Sequence, residues 1–122
     1  MERIERTALK NLIHNEEYCR KVLPFIKEEY FTDRLEKLLF TEIYKFVNKY
    51  NNLPTKESLS IEINGNRSVN EDEYKKITDI LSTLNAEPIN LEWLVETTET
   101  FCKDRAIHNA ILGGIQILDG KD

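Results

Sequence analysis

NLEWLVETTETFCKDRAIHNAILGGIQIL, residues 90–118, is the stretch that decides the fold. Pro88 breaks whatever precedes it, Asn90 is a side chain that can cap free N–H groups, and Glu92 and Glu96 put negative charge near a positive helix end. Leu91, Leu94, Val95, Phe101, Cys102, Ala106, Ile107, Ala110, Ile111, Ile115 and Leu118 mostly recur at steps of three and four, which gathers them on one broad side of a helix. At 1.5 Å per residue such a helix reaches about 40 Å, more than a small domain can cover, so part of it is expected to project. Gly113 and Gly114 each cost about 1 kcal/mol against alanine in a helix interior. They fit either a helix stop or a point where another backbone comes close.

Working back toward the N-terminus, the same logic yields five shorter helices. Ile4, Ala8, Leu9, Leu12 and Ile13 form one face of a segment from about Glu2 to Ile13. Asn15 caps a second, with Tyr18, Val22 and Leu23 inward, and Pro24, by disfavouring helical geometry at Leu23, should make it kink or stop before Phe25-Ile26. Tyr30 and Phe31 make a short aromatic plug. Asp33 opens the core helix, with Glu36 at capping-box spacing and Leu35, Leu38, Leu39, Ile43, Phe46, Val47 and Tyr50 as its stripe. Pro54 and Thr55 introduce a brief helix with Leu59 and Ile63, Asn64-Gly65-Asn66 is a turn, and Asn70 with Glu73 starts a fifth helix through Tyr74, Ile77, Leu81 and Leu84. Only Ser60 to Asn64 alternates in a way that suits a strand. The expectation is an all-α protein: a compact bundle of about five helices over residues 1–88, then a long projecting helix over residues 89–122.

The chain has 122 residues, 40% of them hydrophobic, enough for one core. Seventeen basic against 22 acidic residues give a net charge of −5, which offers no general attraction to nucleic acid or anionic lipid. No apolar run approaches the ~20 residues that span a bilayer, and the polar start Met1-Glu2-Arg3 does not suit a signal peptide, so no membrane partner is expected. Cys19, Cys102, His14 and His108 are too scattered for a disulfide framework or a zinc site.

Catalytic motifs are likewise wanting. Gly120-Lys121 suggests a phosphate loop, but GxxxxGK needs glycine where Ile115 stands, and Asp122 replaces the metal-binding hydroxyl. The carboxylate pairs Glu16-Glu17, Glu28-Glu29 and Glu71-Asp72 fall at helix starts or polar faces. No residue is marked as a nucleophile. Lys45 and Lys49, and Lys75 and Lys76, lie near tyrosines, yet with acids interspersed they read as mixed solvated faces. The residues point to a binding module that is not an enzyme and needs no cofactor or metal.

The order of motifs resembles the N-terminal domain of DnaB-type replicative helicases, most closely the primase-helicase subunits of large tailed phages. The resemblance rests on Leu12-Ile13, Asn15-Glu16-Glu17 and Val22-Leu23, then Glu29-Tyr30-Phe31 before Leu39-Phe40-Thr41-Glu42-Ile43. It continues through Leu53-Pro54-Thr55 to Ile89-Asn90-Leu91-Glu92-Trp93-Leu94 and Phe101-Cys102-Lys103-Asp104-Arg105-Ala106. It implies a collar domain that packs against copies of itself, docks primase and meets single-stranded DNA only weakly or within the full assembly. It also implies that the long helix is the first arm of a helical hairpin. A RecA-type motor, with its ATP and Mg, is expected only beyond Asp122, so that the chain is a fragment. The expected location is the cytoplasm of a bacterial host. Leu94, Val95, Phe101, Ile107, Ile111, Gly114 and Leu118 are the candidates for self-association. The competing expectation is an unrelated helical adaptor that binds another protein and shares only helical patterning.

Overall fold

The computed structural model describes residues 3–119, with side chains as far as Gly114. Six α-helices run in order: α1 (Ile4–His14), α2 (Glu16–Val22), α3 (Arg34–Tyr50), α4 (Lys56–Asn64), α5 (Glu71–Thr83) and α6 (Leu91–Asp119), with a 3-10 turn at Glu28–Tyr30. No strand occurs among the described residues, and the Ser60–Asn64 stretch lies within α4. No described helix is long and apolar enough to cross a membrane.

Side-chain caps set most of the helix starts. Asn15 accepts from the Tyr18 N–H, Thr55 and Ser58 form a reciprocal capping box, as do Asn70 and Glu73, and Asn90 accepts from the Trp93 N–H. Each such cap is worth about 1 kcal/mol. At α3 the cap differs from the expected box. Asp33 accepts from the N–H groups of Leu35 and Glu36, but the Glu36 side chain does not return to the cap. It is fully buried, and one of its oxygens receives the guanidinium groups of Arg3, which precedes α1, and of Arg6 in the first turn of α1. Two charge-assisted bonds from another helix outweigh one from the local backbone.

Helix ends follow the chain's breakers, with one exception in detail. α2 stops at Val22, yet Leu23 keeps helical angles (φ −55°, ψ −35°) despite Pro24. The chain is held in this turn by N–H bonds from Phe25 and Ile26 to the Val22 carbonyl, so the proline, having no N–H to satisfy, sits inside it. α3 ends on Asn51 at φ 52°, ψ 40°, the left-handed cap that asparagine tolerates.

The core joins Ala8, Leu9 and Leu12 of α1, Tyr18 and Val22 of α2, Phe31, and Leu39, Phe40 and Ile43 of α3 to Leu59, Ile63, Ile77, Leu81 and Leu84. Tyr50, expected on the α3 stripe, is exposed because the helix has passed the last core layer there. Leu94 and Cys102 of α6 belong to the same core, so the packed body extends across residue 88 into the first three turns of the long helix.

Glu36 holds the start of α1 to α3 by burying a charge, which makes the cluster sensitive to loss of one partner. Glu36→Gln is expected to destabilise the protein by about 1–3 kcal/mol, tempered because both arginines are partly solvated. A shift of the urea midpoint at constant slope would show it; an unchanged midpoint would mean that the ion pairs contribute nothing net.

Candidate interaction face of the long helix

α6 has two sides with different tasks. Leu94 and Thr98 are fully buried, Cys102 nearly so, and Leu91, Val95, Phe101, Arg105 and Asn109 are partly covered beside them. These positions recur at three and four residues and lie over α1, α2 and the 3-10 turn. The Thr98 hydroxyl donates to the Leu94 carbonyl at 2.8 Å, which leaves it to accept from the Tyr18 hydroxyl, also at 2.8 Å. Burial pushes the Tyr18 phenol well above its ordinary pKa, so it remains a donor.

Farther along, polar contacts replace apolar ones. Arg105 reaches Glu5 at 3.4 Å and lies 5.5 Å from the centre of the Phe101 ring. Asn109 donates to the Glu29 carbonyl at 3.2 Å, and beyond it Ile111 and Leu112 are exposed. The globule therefore grips α6 through about its first five turns.

On the other side Trp93, Thr97, Thr100, Asp104, Ile107, Ile111 and Gly114 follow one another at alternating steps of four and three. That is the spacing of a seam along which a second helix can lie. Trp93 is 54% exposed, Ile107 60% and Ile111 58%, and no other part of the described chain covers them. The seam is polar in its first half and apolar in its second. Leu112, at 46% exposure, extends the core-facing column past the end of the globule, so the helix end presents apolar groups on two sides.

The seven residues expected to mediate self-association thus separate. Leu94 is interior and cannot meet a second molecule without opening the core, while Val95 and Phe101 are half-buried against that core. Ile107 and Ile111 are solvent-facing on the seam. An atom added at Gly114 meets nothing within 4 Å, so among the described residues no close approach accounts for the glycine. Leu118 lies outside the residues whose side chains are described. Sequence reasoning missed Trp93 and Leu112. Trp93 could have been found from its spacing, two heptads before Ile107, had the stripe been divided into an inward and an outward column.

Cys102 of α6 and Cys19 of α2 are free thiols buried as small apolar groups, Cys19 beside Val47 and Leu53. Burial first, and then the nearby carboxylates Glu99 and Glu16, push each thiol up to about 11 from an ordinary 9.0. Both stay protonated and poorly nucleophilic at neutral pH.

No family model matches the chain. Its sequence is similar to a DnaB-like replicative helicase of Enterobacteria phage T4, with 34% identity over 109 residues. The match takes in 89% of this chain but only 23% of the phage protein, so the chain spans less than a quarter of that relative's length. The resemblance to the DnaB-type helicases is thereby shown for one segment of such a protein.

The raised thiols give a pH dependence with a definite sign. The folded protein holds both protons to about pH 11, whereas an unfolded thiol loses its proton near its ordinary 9.0. Deprotonation favours the unfolded chain, so this contribution is fully present below pH 9 and is lost between about pH 9 and 11. Urea midpoints should fall over that interval, and replacing both cysteines with alanine should flatten the fall. An equally steep fall in the double variant would locate the cause elsewhere.

Proposed function

We propose that this chain is a non-catalytic assembly domain of a phage-type replicative helicase, an N-terminal collar that associates with copies of itself and docks primase. The observation that carries this is the pair Ile107 and Ile111, exposed on the side of α6 turned away from its own globule, in a heptad seam with Trp93. Two such seams laid together would remove these side chains from water, at roughly 25 cal/mol per Å² of apolar surface. The 34% identity over most of the chain supports placing that interface in a helicase and weighs against an unrelated adaptor that shares only helical patterning.

Motor activity has no place in this proposal. ATP and Mg belong to a motor domain outside this sequence, and single-stranded DNA would be met only weakly, given the net charge of −5. The work of the domain would be geometric: holding copies in register and presenting surfaces to primase. A cytoplasmic setting in a bacterial host follows from the same proposal.

Absolute mass across a concentration series, by light scattering after size exclusion, tests the self-association. The protein is expected to form a dimer or larger species, and Ile107→Asp with Ile111→Asp should return it to monomer with unchanged helicity, since both side chains face solvent. A strict monomer at every concentration would overturn the assignment of this seam in the chain as it stands. Primase docking is a separate matter: immobilised protein should retain the primase encoded alongside it, and failure to do so would remove that half of the proposal.

A further inference from the structure

A second surface, using no residue of α6, lies along α3. In sequence this helix mixes lysines with glutamates, but the fold sorts them. From Lys37 to Tyr50 its exposed side chains are Lys37, Tyr44, Lys45, Asn48, Lys49 and Tyr50, whereas Glu42 is buried and accepts from Asn66. The solvent side of α3 is consequently cationic and aromatic, although the whole protein is acidic.

Beside it is a shallow cup of about 200 Å³ lined by Ile26, Lys27, Glu28, Phe40, Thr41 and Tyr44. Its apolar wall is firmly backed. Phe40 stacks on buried Phe31 at 5.0 Å between centroids, and Tyr44 lies 6.0 Å from Phe40 while remaining 41% exposed. Lys37 and Lys45 lie one turn to either side of Thr41, and Lys27 stands across the cup on the preceding segment. Neither Lys27 nor Lys37 has an anionic partner among the described residues, and Lys45 has only Glu42 at 3.9 Å.

We propose that this cup docks a short acidic peptide segment of a partner protein, which inserts one apolar side chain against Ile26, Phe40 and Tyr44 and sets carboxylates on Lys27, Lys37 and Lys45. Charge complementarity selects the sign of the occupant, and the apolar wall selects a peptide over a nucleic acid. Glu28 stands in the rim, taking a hydrogen bond from the Thr41 hydroxyl at 2.7 Å. A phosphodiester carries charge at every residue and must meet that carboxylate. A peptide can place its acids only where the lysines are.

The test uses the whole chain and a fluorescently labelled peptide with one phenylalanine between two runs of aspartate, read by anisotropy. Saturable binding is expected. It should weaken about fivefold or more when glycine replaces the phenylalanine, in Tyr44→Ala, and in Lys27→Glu with Lys37→Glu. Lys75→Glu with Lys76→Glu makes the same charge change on α5 and should leave binding within about twofold. Circular dichroism confirms the fold of each variant. Should Tyr44→Ala lose helicity, the two lysine pairs decide. Absence of saturable binding, equal binding of the glycine peptide, or equal loss in both lysine pairs would overturn the proposal. Tighter binding of a labelled oligothymidylate would do so as well, by making the patch a nucleic-acid surface.

Discussion

The Tyr18–Thr98 hydrogen bond and the apolar contact around it fix how the long helix leaves the body, and the outward seam of α6 inherits its position from that contact. Thr98 is wholly buried with Leu94 one turn before it and Cys102 one turn after. A hydroxyl in such a place is tolerable only because both hydroxyls are satisfied, Thr98 by donating to its own helix and Tyr18 by donating to Thr98. Rotating α6 about its axis would strand these groups, so the rotation is fixed. With the inward column fixed, the column carrying Trp93, Ile107 and Ile111 is obliged to face out.

The grip weakens along the helix in a graded way. Full apolar burial at Leu94 gives way to a guanidinium between Glu5 and the Phe101 ring, then to one side-chain bond from Asn109. Just after that, Ile111 and Leu112 are exposed on the helix surface. An isolated helical stretch gains little from propensity alone, which is a physical reason for its exposed isoleucines to be covered by another chain.

A different sorting operates on α3. Glu36 and Glu42 point inward, one to Arg3 and Arg6 and the other to Asn66, and their burial leaves the lysines outside. The protein as a whole is acidic at −5, yet one helix offers a cationic face. Bulk charge therefore says little about any particular surface, because burial removes charges selectively.

Much of this was legible in the residues. Caps at Asn15, Asp33, Thr55, Asn70 and Asn90, breakers at Pro24, Pro54 and Pro88, and recurrence at three and four residues determined six helices, since those signals act within a single turn. The motif order also carried the likeness to a helicase segment. What the sequence could not decide was which of two apolar columns on α6 faces inward: Leu94 and Ile111 look alike on a list of hydrophobic residues, but one is core and the other surface. Nor could it show that Glu36 abandons its cap for Arg3 and Arg6, or that the acids of α3 turn away from solvent. Those outcomes depend on contacts between residues 24 to 80 positions apart, and only the packed chain brings such partners within reach.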